Sequence, residues 1–284
     1  MDFFTSIMTY SFLQTALIAA VLSGVACGIV GTYIVSRRMV FLSGGITHAS
    51  FGGIGIAYYL GLNPIGGAMI FAILSAIGVE WASAKGRIRE DSAIGIVWSV
   101  GMAVGLLFIY LTPGYAANLM TYLFGDVLTV GENSVVALAL LVVVLIAVST
   151  LFGRPIVYSA FDREFSKSQG IKADLILAAM TVLTAITIVL SIRIVGIVLL
   201  ISLLTIPPVI AASFTKSYMK IAVLSSILAV VGNVLGLYAA YKINLPVGVA
   251  TIILLAVALF AVKLLTLPKL RSRRAKLHTS EAKK

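Results

Sequence analysis

His48 falls inside an uncharged stretch of membrane length, whereas the other histidine, His278, sits in a basic C-terminal run. A neutral imidazole is the commonest transition-metal donor, so His48 could be a waypoint on an ion path. The same ring could instead serve as an interhelical hydrogen-bonding group. It follows Ser43-Gly44-Gly45-Ile46-Thr47 and precedes Gly52-Gly53-Ile54-Gly55, so it lies on a helix whose small residues admit a close neighbour. Spacing alone leaves both roles open.

Other polar or helix-breaking residues occupy the apolar runs. Pro207 and Pro208 lie in the middle of one. Proline removes a backbone donor and clashes with the preceding turn, which predicts a break or sharp kink near Thr205. Unwound backbone inside a membrane is tolerated where it lines a cavity or is buried in protein, so the kink marks a pathway or is purely structural. Asn233, flanked by Gly232 and Gly236, suits interhelical bonding. Glu80 is the one acid that could enter a span, and it lies near a membrane interface where it would be solvated or paired. Such scarcity of buried acids argues against an ion-gradient-driven carrier, whose spans hold proton or sodium relays. Cys27 permits no internal disulfide and reads as a packing residue.

These residues need a membrane bundle to position them. The chain has 284 residues, 61% hydrophobic and 11% charged, with a mean hydropathy of +1.12. A soluble domain carries about a quarter of its residues as charged types, so composition excludes a soluble globule. The uncharged runs are 3–36, 39–79, 92–125, 133–153, 175–192, 194–215, 221–241 and 243–262. The run 39–79 is too long for one helix and contains the turn signal Gly61-Leu62-Asn63-Pro64. At about 20 apolar residues per crossing, the expectation is an all-α polytopic membrane protein of about nine transmembrane helices, or eight if the long first run holds a partly embedded N-terminal segment.

Alternating the crossings from an external N-terminus puts nearly every basic residue inside, from Arg37 and Arg38 to the C-terminal cluster, and leaves Arg193 and Lys242 outside. Such a bias fixes orientation. It also accounts for the net charge of +11 without a nucleic-acid partner. The first apolar run has no Lys or Arg before it, the wrong start for a cleaved signal peptide. Residues 118–125 are apolar but too short to cross, and are placed on the outer face. Residues 1–266 thus form the transmembrane domain, with an inner loop at 154–174, and 267–284 a basic cytoplasmic tail at the cell membrane.

The inner loop holds Phe161-Asp162-Arg163-Glu164-Phe165-Ser166-Lys167-Ser168-Gln169-Gly170. Asp162 suits a helix N-cap, Glu164 the first turn and Gly170 the stop. Phe161 and Phe165 stand four apart, so one short helix would show an aromatic edge suited to docking another protein. No Gly-Lys dipeptide occurs, so the phosphate-binding loop is absent and any ATP-driven activity needs a separate subunit. A membrane enzyme is disfavoured because the spans hold no clustered acid, base or nucleophile. A secondary carrier of metal or small solute stays as the alternative to an ATP-driven system.

From about Arg37 to Gly248 the chain resembles the membrane permeases of ATP-binding-cassette importers for zinc, manganese or iron. The resemblance rests on Ile46-Thr47-His48-Ala49, Arg89-Glu90-Asp91-Ser92-Ala93-Ile94-Gly95, Phe161-Asp162-Arg163-Glu164-Phe165 with Gly170-Ile171, Leu203-Leu204-Thr205-Ile206-Pro207, and Asn244-Leu245-Pro246-Val247-Gly248. It implies a permease that works as a homodimer, takes a divalent metal ion as cargo from an extracytoplasmic binding protein, binds no cofactor itself and relies on ATP held by a partner subunit. In that family the Phe161–Phe165 segment looks like the coupling helix that enters a groove of the ATPase, and His48 maps to a histidine on the metal path. The family's partner aspartate would stand four residues earlier, where this chain has Gly44.

Overall fold

The structure is a computed structural model and describes residues 3–84, 88–113, 125–127 and 130–281. The described elements are helices: α1 (Phe3–Thr9), α2 (Ser11–Ser36), α3 (Val40–Tyr59), α4 (Pro64–Ala84), α5 (Glu90–Leu111), α6 (Glu132–Leu151), α7 (Gly153–Phe161), α8 (Arg163–Ser168), α9 (Ala173–Val195), α10 (Ile197–Ala211), α11 (Tyr218–Ile243) and α12 (Val247–Glu281). Among the described residues, 8 helices are long and apolar enough to cross a membrane. The protein is an all-helical membrane bundle.

The centre is made by α2 and α3, whose spans are 72% and 78% buried inside the protein, against 17% for α5 and 22% for α12. Around α2 pack α11, α10, α6 and α9, and α3 packs chiefly on α5 and α4. Close approach rests on small residues, which let backbones meet where apolar lipid gives helices no solvophobic reason to associate. A Cβ at Gly101 of α5 would lie 2.5 Å from Cα of Ala49 on α3. Polar bonds add to this: Asn233 Nδ2 of α11 donates to the Ala20 carbonyl of α2 at 2.9 Å, the interhelical role its setting suggests. Cys27 is buried, its thiol directed at Ser191 Oγ of α9 at 3.5 Å.

The Ala49 backbone cannot yield to an added side chain, so Gly101→Val should push α5 off α3. Overpacking of this kind costs about 1–3 kcal/mol. We expect a lower melting temperature in detergent, measured by thermal denaturation of the purified chain. Gly95→Ala, at a position with nothing within 4 Å of the added carbon, should leave it unchanged.

Several sequence expectations meet the structure here. The turn at Gly61–Pro64 forms as anticipated: Gly61 takes φ 66°, and Asn63 Oδ1 accepts from the Ile65 and Gly66 amides as α4 begins at Pro64. The long first run divides at Tyr10 into α1 and α2, with Ser6 Oγ of α1 2.8 Å from the Tyr241 hydroxyl of α11. The run 194–215 yields α10, whose 15 residues reach about 22 Å, short of the ~30 Å hydrocarbon thickness.

Of the break or sharp kink expected near Thr205, Pro207 and Pro208, the break is not found. α10 runs through both prolines, and the chain is interrupted at Gly196, whose φ 88° and ψ 157° suit glycine alone. The carbonyl of Leu204, deprived of its donor by Pro208, is met directly by Gly31 of α2, where any Cβ would collide with it. One turn earlier Thr205 Oγ1 donates to the Ile201 carbonyl at 2.8 Å. Packing therefore covers the carbonyl that Pro208 leaves open. The apolar segment anticipated on the outer face, 118–125, lies outside the described residues except for Gly125.

Candidate functional site

His48 sits eight residues along α3, about 12 Å from the start of the helix. Its ring stacks on the Trp98 indole of α5, with centroids 4.3 Å apart and planes inclined by 9°. Nδ1 is buried without a hydrogen-bond partner. One turn before it, the place of a Gly44 side chain is bounded by Ile201 Cδ1 of α10 at 3.1 Å and Trp98 Cζ3 at 3.2 Å. Thr205 stands one turn from Ile201, so α3, α5 and α10 converge on this corner, while Pro207 and Pro208 lie beyond it toward the end of α10.

A single imidazole with no carboxylate beside it is a weak, easily vacated metal ligand. Among the described residues no group of three or more His, Cys, Asp or Glu is placed to hold a metal ion. Chemically, the corner can offer a passing cation one nitrogen between an aromatic wall and an aliphatic one.

The second site is on the loop. Asp162 is extended, and its carboxylate accepts from the Phe165 amide at 2.9 Å, capping α8. At the other end Gly170 takes φ 77°, with its amide on the Lys167 carbonyl and the Ile171 amide on the Ser166 carbonyl, both at 3.0 Å. These paired bonds are a Schellman stop. Glu164 in the first turn pairs with Lys167 at 3.2 Å, and hydrogen bonds to Glu164 and then Asp174 hold the Lys167 ammonium above its ordinary lysine range. The cap and stop are as the sequence suggests, but Phe161 and Phe165 do not share one helix. An N-cap must leave helical geometry, so Asp162 ends α7 after Phe161 and starts α8 at Arg163. Both rings nevertheless project, Phe161 72% and Phe165 53% exposed.

Glu80, near the C-terminal end of α4, is paired, with Arg37 at 3.6 Å and Arg163 at 3.8 Å. Sequence reading did not single out Trp98. Its signal was the Gly101-x-x-x-Gly105 pair, a close-packing motif. Trp98 stands one turn before Gly101, and His48 one turn before Gly52, so matching the two glycine faces would have brought the rings together.

Residues 9–266 match the ABC 3 transport family. The chain is 36% identical over 257 residues to an uncharacterised membrane protein of Synechocystis, covering 90% of this chain and 91% of that one. It is 33% identical over 269 residues to the manganese transport system membrane protein MntC of Listeria monocytogenes, covering 95% of each. Among solved structures it is similar to PsaBC from Streptococcus pneumoniae in complex with Fab, with a TM-score of 0.82, 27% identity and coverage of 92% of this chain and 94% of that chain.

Proposed function

The chain belongs to the ABC 3 transport family, and from that premise we propose that it forms the transmembrane pathway of an ATP-driven importer of a divalent transition-metal ion, with manganese(II) the first cargo to test. It is a membrane permease subunit without a nucleotide-binding motif, so ATP hydrolysis sits in a partner chain. The observation that carries the cargo is the near full-length likeness to a manganese transport membrane protein. In this reading two copies of the chain form the pathway, α8 of each meets a cassette ATPase, and an extracytoplasmic binding protein delivers the ion. His48 is a transient waypoint: one imidazole holds a cation too weakly to trap it. Manganese prefers oxygen donors, which makes the lone nitrogen a point of passage and leaves ion choice to the binding protein.

Uptake of radiolabelled manganese(II) by proteoliposomes holding the permease, the ATPase and the binding protein tests the proposal, with zinc(II) and iron(II) as competitors. ATP-dependent accumulation of manganese is expected. Accumulation without ATP, driven by an imposed ion gradient, would replace it with a secondary carrier.

Orientation has its own test. With the native Cys27 buried, an impermeant thiol reagent should label Ser168→Cys only from the cytoplasmic side and Leu62→Cys only from outside. Both positions are exposed. Labelling of both from one side would overturn the inward placement of the loop.

A further inference from the structure

Glu80 joins two elements that must communicate if ATP drives transport. Its side chain is 14% exposed, with Oε2 3.6 Å from Arg37 and Oε1 3.8 Å from Arg163, and Thr181 Oγ1 of α9 donates to Oε2 at 3.5 Å. Both arginine separations exceed hydrogen-bond length, so the carboxylate pairs with the two arginines through charge alone, while Arg37 Nη1 donates to the Tyr33 hydroxyl at 2.9 Å. Arg163 is the first residue of α8 and also binds Asp174 of α9 at 2.6 Å. Arg37 ends α2, and α3, which carries His48, begins at Val40.

The connection between α2 and α3 is conformationally tense. Arg38 takes φ 59°, a left-handed conformation that a residue with a side chain seldom adopts. Arg37 also has a second acid within reach of its charge. Arg37, Arg38, Arg89, Glu90 and Asp91 line one inner-face cleft, and Glu90 Oε1, at the start of α5, is buried without a hydrogen-bond partner. Arg37 thus lies between an acid on α4 that it shares with the docking helix and an acid on α5 with an unfilled oxygen. The helices that these contacts adjoin, α3 and α5, carry His48 and Trp98.

We propose that Glu80 is a positioning residue for transport: it links Arg163 of the docking helix to Arg37 at the α2–α3 turn, so that displacement of α8 changes the hold on Arg37 and is passed to α3 and α5. Arg37 held by Glu80 and Arg37 turned to Glu90 would be the two discrete arrangements that energetic coupling requires, both sites biasing the choice. The inference rests on α8 being the ATPase contact.

The test uses the complete complex of permease and ATPase in proteoliposomes with the binding protein, measuring radiolabelled manganese(II) accumulated per ATP hydrolysed. Glu80→Gln should keep the ATPase bound and hydrolysing while the ratio falls about fivefold or more, the scale of an allosteric coupling. Arg163→Gln, which also loses the Asp174 pair, should lower the ratio at least as far, and the double variant should be no worse than Arg163→Gln alone, because both cut the same link. A wild-type ratio in Glu80→Gln, loss of the ATPase from that variant, or independent multiplying losses in the double variant would each overturn the proposal. If Glu80→Gln does not reach the membrane, Glu80→Asp decides. It keeps the charge but is one methylene too short to reach both arginines, so an intermediate ratio supports the link and a wild-type ratio refutes it. Failure of the docking premise registers separately, as retention of the ATPase by a permease lacking Phe161 and Phe165.

Discussion

Replacing Phe161 and Phe165 together with serine should strip the ATPase from the permease and leave the permease itself inserted and folded. The two rings are the exposed aromatic groups on either side of the Asp162 cap, 72% and 53% accessible, so more than half of each residue is left uncovered by the chain. Serine at such exposed positions changes stability by no more than about 0.5 kcal/mol. A buried aromatic anchor at an interface contributes about 2 kcal/mol or more, so losing two should weaken association at least about a hundredfold. Co-purification of tagged permease with the ATPase reads the effect, and thermal denaturation of the permease alone is the control. ATP-driven uptake should vanish with association. Normal co-purification in the double variant would mean that the ATPase docks elsewhere. Loss of the rings should separate the subunits, whereas loss of Glu80 should leave them together and uncoupled.

His48→Ala should lower manganese(II) uptake about tenfold or more, equivalent to ~1.4 kcal/mol or more on the transport barrier, without releasing the ATPase. Structurally the change is tolerable: the ring is partly buried, and its Nδ1 makes no hydrogen bond whose loss would destabilise the bundle. The accompanying loss of stacking on Trp98 is controlled by His48→Phe, which restores an aromatic ring without a donor nitrogen. Uptake should stay low in both variants. Recovery by phenylalanine would assign His48 to packing, and a wild-type rate in the alanine variant would move the ion path elsewhere. Gly44→Asp gives the complementary result. A carboxylate one turn before the imidazole should tighten manganese binding, since oxygen donors suit that ion. The space for it is narrow, because its Cβ would come within 3.1 Å of Ile201 and 3.2 Å of Trp98. We therefore expect tighter binding with slower turnover, measured as a lower KM and a lower kcat for uptake.

Much of this architecture is written locally. Charge-free runs mark the crossings because an unpaired charge is costly in hydrocarbon, and the cap at Asp162, the stop at Gly170 and the turn at Gly61–Pro64 each follow from the residues within a few positions of them. The missing phosphate-binding loop is likewise a statement about sequence, and so is the placement of His48 on a helix of small residues. Where local reasoning misled, a local rule met a second one. Phe161 and Phe165 have helical spacing, but the capping geometry of Asp162 comes between them. The prolines of α10 have the chemistry of a helix break, yet Gly31 of another helix covers the Leu204 carbonyl that Pro208 exposes, and Gly196, with its positive φ, takes the interruption instead.

What the sequence determined by itself is the set of apolar runs that become the long helices, the turn at Gly61–Pro64 and the cap and stop of α8, because hydration of charge, helix capping and turn geometry act over a few residues. The tertiary structure alone decided that Trp98 lies across His48, that Ile201 and Trp98 bound the space beside Gly44, and that Glu80 stands between Arg37 and Arg163. Those relations depend on the rotation and register of one helix against another. Backbone approach at glycines such as Gly101 against Ala49 fixes them, and no neighbouring residue in the chain records which glycine will meet which partner.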